Sequence, residues 1–115
     1  MYYIIVYTNN RSESIKFIWD ENKNRLNKKK HSVDFDLAKH IFEDPQALSW
    51  LDVRFHNYNE VRWVTIGRVY DEIMVVVHTY KSEKYEQELI RIISARKASK
   101  KERKYYVDSS KKTFI

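Results

Sequence analysis

Two runs, VRWVTIGRV (residues 61–69) and EIMVVVHTY (residues 72–80), stand only two residues apart. Both are rich in β-branched and aromatic side chains, which suit a pleated surface better than a helix. With Tyr70 and Asp71 alone between them, the runs are expected to pair as an antiparallel hairpin through a tight turn. An isolated hairpin is marginal in water, so the rest of the chain must add strands and a covering layer. ALSWLDVRF (residues 47–55) and LIRIIS (residues 89–94) read as further strands. Gly67, inside a strand, signals a bulge or a close backbone approach. KSEKYEQE (residues 81–88) reads as a charged loop, and Tyr2–Tyr7 as a strand or an N-terminal extension.

The covering layer comes from helical patterns. FIWD (residues 17–20) ends on Asp20, a good N-cap for a helix through ENKNRLNKKK. Leu26 is nearly the only apolar residue of that helix, which must therefore lie at the surface. A second helix is expected over SVDFDLAKHIFED (residues 32–44), capped by Asp34 and stopped by Pro45. Its Leu37, Ala38, Ile41 and Phe42 fall on one side at helical spacing. Ser99 and Glu102 have the spacing of a capping box, which starts a third helix near Lys100. The expected architecture is an α+β domain: two N-terminal helices, a mainly antiparallel sheet of about four strands and a C-terminal helix. Its helices should pack on one sheet face.

Charge narrows the partners. The 115-residue chain, one domain by its length, carries a formal net charge of +6 and has a pI near 9.4. A polyanion is favoured: RNA, DNA, an acidic protein or an anionic membrane. The initial apolar run is too short to cross a bilayer and has no basic stretch before it, so neither membrane insertion nor a secretory signal is expected. Absence of cysteine excludes disulfides and thiolate metal sites and fits a cytoplasmic setting. Neither an H-x-x-x-H or HExxH pattern nor a carboxylate cluster occurs, so no metal or other cofactor is expected.

Four ordered motifs carry a resemblance to a known family. They comprise Trp19, Asp20 and Lys23; Lys30, His31, Val33 and Phe35; Glu60, Arg62, Ile66 and Gly67; and the stretch RIISARKASKKERKYY from Arg91 to Tyr106. Over about Phe17 to Tyr106 the chain resembles the BrnT toxins of type II toxin-antitoxin systems. The resemblance implies a RelE/ParE-like fold and ribonuclease activity that halts translation. It also implies a BrnA-like antitoxin with a ribbon-helix-helix region, through which alone the complex would meet operator DNA. Family sequences typically start near Phe17, so residues 1–16 are expected as an N-terminal extension or added edge strand on a toxin domain of residues 17–115. Ser32 stands where the family has glycine, which is expected to alter the turn between the first two helices.

Metal-independent RNA cleavage uses the neighbouring 2′-OH as nucleophile. The protein must accept its proton, neutralise the phosphorane and protonate the leaving 5′-oxygen. Arginine suits the second task because its planar cation binds two phosphate oxygens together. The candidates are Arg62, Arg91 and Arg96, expected to converge on one phosphodiester without being tied up in internal ion pairs. Arg91 alternates with Ile90 and Ile92 and so faces away from them. His31, beside Lys30, is a candidate acid or base, or else helix C-terminal charge complementing the dipole. Glu60 is a candidate base, or simply a partner of Arg62. Lys97, Lys100, Lys101 and Arg103 are candidate RNA contacts, and Tyr106 either stacks a base or packs its helix. His40, His56 and His78 fit no site spacing and read as structural. The alternative function is a basic nucleic-acid-binding or partner-binding module without catalysis.

Overall fold

The computed structural model describes residues 3–7 (backbone only), 15–55, 59–82 and 87–111. Its elements are β1 (Tyr3–Tyr7), β2 (Ile15–Asp20), α1 (Glu21–His31), and α2 (Phe35–Ala38) continued by a 3₁₀ segment (Lys39–Glu43). Then come β3 (Leu48–Leu51), β4 (Trp63–Val69), β5 (Glu72–His78), β6 (Lys81–Ser82), β7 (Glu88–Lys97) and α3 (Lys100–Lys111). The hairpin forms as expected, β4 pairing β5 from Trp63–His78 to Val69–Glu72 around Tyr70-Asp71.

The α+β class holds, but the sheet is larger and mixed. Its order is β1-β2-β7-β5-β4-β3, with the short β6 also pairing β7. The apolar segment before α1 forms β2, a strand the sequence reading did not assign, which pairs β7 in parallel from Ile15–Glu88 to Ile18–Arg91. β1 pairs β2 antiparallel, outermost in the order. Parallel strands require a long connection, so adjacent sequence gives no hint of the pairing.

Both faces of the sheet are covered, not one. On the first, Phe17, Trp19, Met74, Val76, Ile90, Ile92 and Ala95 pack with Val33, Phe35, Ala38 and Ile41. On the second, Val64, Ile66, Ile73 and Val75 pack with Ala98 and Tyr106, the latter on α3. His56 lies outside the described residues.

α1 is held by amides rather than by an apolar stripe. Leu26 is 67% exposed, while the buried residues of α1 are Asn24 and Asn27. β2 pairs only the first part of β7, which leaves the later part of that edge without a strand. Asn27 stands in for one: its amide donates to Ala95 O (2.8 Å) and accepts from Ala95 N–H (3.1 Å), and it also donates to Val33 O (3.0 Å). Asn24 accepts from Phe35 N–H (2.9 Å) and donates to Asp34 (3.2 Å).

The second helix is shorter than its pattern suggests. Phe35, Ala38 and Ile41 are fully buried at every third position, whereas Leu37 is exposed. Such spacing is the period of the 3₁₀ segment that replaces the last turns. Gly67 allows this segment close approach: a Cβ there would lie 2.8 Å from Ile41 Cγ1. The irregular position is instead on β7, where the register shifts between Val77–Ser94 and His78–Ile92.

Ser32 caps α1 in the left-handed region (φ 60°, ψ 28°). The turn is therefore of the kind glycine favours, built with a residue that carries a Cβ. Ser32→Gly is expected to stabilise the fold by about 0.5–1 kcal/mol, read as a rise in the urea midpoint at constant m-value.

Candidate functional site

The sheet register explains which candidates meet. Trp63 pairs His78, so Arg62 and Thr79 lie one step beyond, on the second face. The Thr79 N–H donates to Arg91 O (2.9 Å), which continues the row to β7. Arg62 and Arg91 are thus on strands either side of Thr79, pointing the same way. Glu60 spans the gap. It accepts from Arg62 Nε (3.0 Å) and from Arg91 Nη2. The Phe55 ring backs the Arg62 guanidinium at 3.8 Å.

These three side chains are each about a fifth to a quarter exposed. Glu60 and Arg91 line a cleft of about 310 Å³ with Ile18, Thr79, Lys81 and Leu89. Two guanidiniums sharing one carboxylate leave one net positive charge on the trio, whose Glu60 and Arg91 reach the cleft wall. Each guanidinium spends one of its five N–H donors on Glu60, so donors remain for a second anion. A monoanionic phosphodiester matches that residual charge.

Arg96 does not join this cluster. It forms a two-pronged ion pair with Glu102, at 2.7 and 2.9 Å, roughly 13–17 Å from Arg91 along the strand. The register shift on β7 keeps Arg96 on the same face as Arg91: Ile90, Ile92 and Ala95 all enter the first core. Glu102 also closes the capping box, accepting from Ser99 N–H (2.7 Å) while its own N–H donates to Ser99 Oγ (3.2 Å). The expectation of three arginines around one phosphate, clear of internal ion pairs, thus becomes two arginines braced by a carboxylate, and a third engaged in building α3.

Other candidates are dispersed. Lys30 and His31 end α1, whose strand contact is at Ala95 rather than Arg91. Among the described residues no hydrogen bond or ion pair joins either to Glu60, Arg62 or Arg91. Lys100 and Lys101 are exposed on the first turn of α3, Arg103 donates to Ala98 O (3.2 Å), and Lys97 lies 3.9 Å from Glu72. Tyr106 is 3% exposed and cannot stack a base. Its hydroxyl donates to Asp44 Oδ2 (2.6 Å), and burial followed by that bond pushes its pKa up to about 12. The same Asp44 oxygen accepts from Arg68 N–H (2.8 Å), which ties the 3₁₀ segment, β4 and α3 together. Sequence reading missed Asp44, since one aspartate before a proline signals a turn and nothing more.

Two groups make the fold sensitive to acid. The Arg96 guanidinium holds the Glu102 carboxyl down at about 2, below its ordinary 4.5. Its contribution is complete above pH 4.5 and lost as pH falls toward 2. Burial pushes His78 down to about 4 from 6.5, so the unfolded chain takes up that proton first. Stability therefore falls as pH drops from 6.5 toward 4. Urea titrations at stepped pH are expected to show both limbs, and Glu102→Gln to weaken the lower one while leaving the upper one in place.

Among the described residues no three His, Asp or Glu side chains gather as a metal-binding group, and no helix is long and apolar enough to cross a membrane. Fold and cleft define a small basic α+β protein with two guanidiniums paired on one carboxylate. The family model described as "Ribonuclease toxin, BrnT, of type II toxin-antitoxin system" matches residues 19–102, and the chain belongs to that family. It is accordingly a ribonuclease toxin, and a system of that type pairs it with an antitoxin. No curated protein matches the chain.

Proposed function

We propose that this toxin is a metal-independent endoribonuclease that inhibits translation by cutting RNA in the cytoplasm. In this reading Arg62 and Arg91 grip the scissile phosphate. Glu60 removes the 2′-OH proton. The 2′-oxygen then attacks phosphorus, a cyclic phosphate forms and the bond to the 5′-oxygen breaks, that oxygen taking its proton from solvent. The arginines stabilise charge that develops on the phosphorane, where preorganised contacts are worth most. The observation that carries the reading is the Glu60 carboxylate shared by Arg62 and Arg91, with Glu60 and Arg91 in the wall of a cleft. Lys97, Lys100, Lys101 and Arg103 supply phosphate contacts further along the strand. Arg96, Lys30 and His31 take no chemical part.

The toxin domain is read as residues 17–115 in a RelE/ParE-like fold, with residues 1–16 appended. Its neutralising partner is read as a BrnA-like antitoxin whose ribbon-helix-helix region binds operator DNA. Purified toxin freed of antitoxin is expected to cut single-stranded RNA in EDTA and to leave a 2′,3′-cyclic phosphate. Intact RNA at high protein concentration, with or without ribosomes, overturns the catalytic reading in favour of a binding module. Relief of toxicity by the product of an adjacent ribbon-helix-helix gene tests the partner.

A further inference from the structure

A second cavity, of about 410 Å³, opens on the first sheet face, on the other side of the sheet from Arg62 and Arg91. Aromatic rings from Phe42, Trp63, His78 and Tyr80 line it, with Ser49 and Glu88 also in its wall. Tyr80 borders both this cavity and the arginine cleft. Beside it, β6 pairs the start of β7, Lys81 with Leu89 and Ser82 with Glu88.

The proton arrangement on its wall is fixed by a buried chain. His78 Nδ1 lies 3.0 Å from Thr79 O, which only accepts, so Nδ1 carries the proton. His78 is 4% exposed, and burial keeps its ring neutral near pH 7. Nε2 is therefore an acceptor and takes the Thr65 hydroxyl proton across 2.7 Å. Thr65 Oγ1, its proton spent, can only accept from Ser49 Oγ at 2.6 Å. Ser49 is exposed, and with its own proton committed inward it turns lone pairs toward the cavity. Glu88 accepts from the Tyr80 hydroxyl through Oε1 (2.7 Å), and its second oxygen is a further acceptor. The wall thus pairs flat apolar surfaces with two hydrogen-bond acceptors.

We infer that this cavity is a nucleobase subsite selective for bases that bear an exocyclic amino group. The inference rests on the ribonuclease reading for its substrate, an RNA strand turning one base around Tyr80 while its phosphate lies at the arginines. Stacking on aromatic rings accepts any base, whereas the acceptor pair discriminates. Adenine, cytosine and guanine each offer an amino group to it. Uracil brings two carbonyls and a single N–H, so one of its oxygens must face Ser49 or Glu88 without a proton between them.

The test titrates AMP, CMP, GMP and UMP into the full-length protein and follows the Trp63 indole resonance, assigned with Trp63→Phe. The three amino-bearing nucleotides are expected to shift it and to bind about tenfold more tightly than UMP. Ser49→Ala and Glu88→Gln, each checked for an unchanged melting temperature, are expected to close that gap. UMP binding as tightly as the others, or binding that leaves the Trp63 resonance in place, overturns the inference. RNA cleavage measured in parallel separates the two claims. Cutting without base selectivity removes this subsite alone, and selective binding without cutting removes the nuclease reading alone.

Discussion

Glu60→Gln is expected to slow RNA cleavage by at least about 10²-fold while leaving RNA binding intact or tighter. The amide cannot accept the 2′-OH proton, yet removing the negative charge raises the positive field that Arg62 and Arg91 present to phosphate. Arg62→Ala and Arg91→Ala should each lose about 10²–10³-fold in rate and weaken binding as well. Arg96→Ala should cost under about tenfold, because its guanidinium is engaged with Glu102. Single-turnover cleavage alongside filter binding measures all four. The mechanism fails if Glu60→Gln cuts at the wild-type rate, or if Arg96→Ala is as damaging as Arg62→Ala.

The largest expected effect on stability lies at Asn27. Asn27→Leu removes the amide that satisfies both polar groups of Ala95 and the carbonyl of Val33. Leaving a buried backbone group unpaired costs about 1–3 kcal/mol each, so a loss of about 3 kcal/mol or more is expected. Leucine is the informative replacement, because it gains apolar contact and still lacks the hydrogen bonds. Exposed Leu26→Ala, one residue away, should cost under about 1 kcal/mol. Denaturant midpoints for the pair check both. Equal small losses would mean that α1 is held by something other than its asparagines.

These two sites also mark where sequence reading works and where it stops. The hairpin, the capping box at Ser99 and Glu102, and the outward aim of Arg91 follow from local patterns, and each is present. The meeting of Arg62 with Arg91 through Glu60 depends on a register across three strands that no short window contains. Arg96 drew the same weight as Arg91 because both sit in one basic motif, while its commitment to Glu102 is a matter of geometry. Asn27 was hidden for a different reason: an asparagine in a polar helix looks solvated, and only the end of β2 makes the adjacent edge of β7 need it. The parallel pairing escaped because its two strands lie 73 residues apart, counting Ile15 to Glu88.

That separation has a kinetic meaning. β7 contributes Arg91, takes β2 and β5 as neighbours and receives the Asn27 clamp, yet it is made after all of them. Contacts so distant along the chain close slowly and late. An emerging chain already carries Arg62 and the β4–β5 run while Arg91 and the Asn27 anchor on β7 do not yet exist. Under the proposed mechanism, cleavage therefore waits until β7 has been made and paired, an interval in which an antitoxin can already be present.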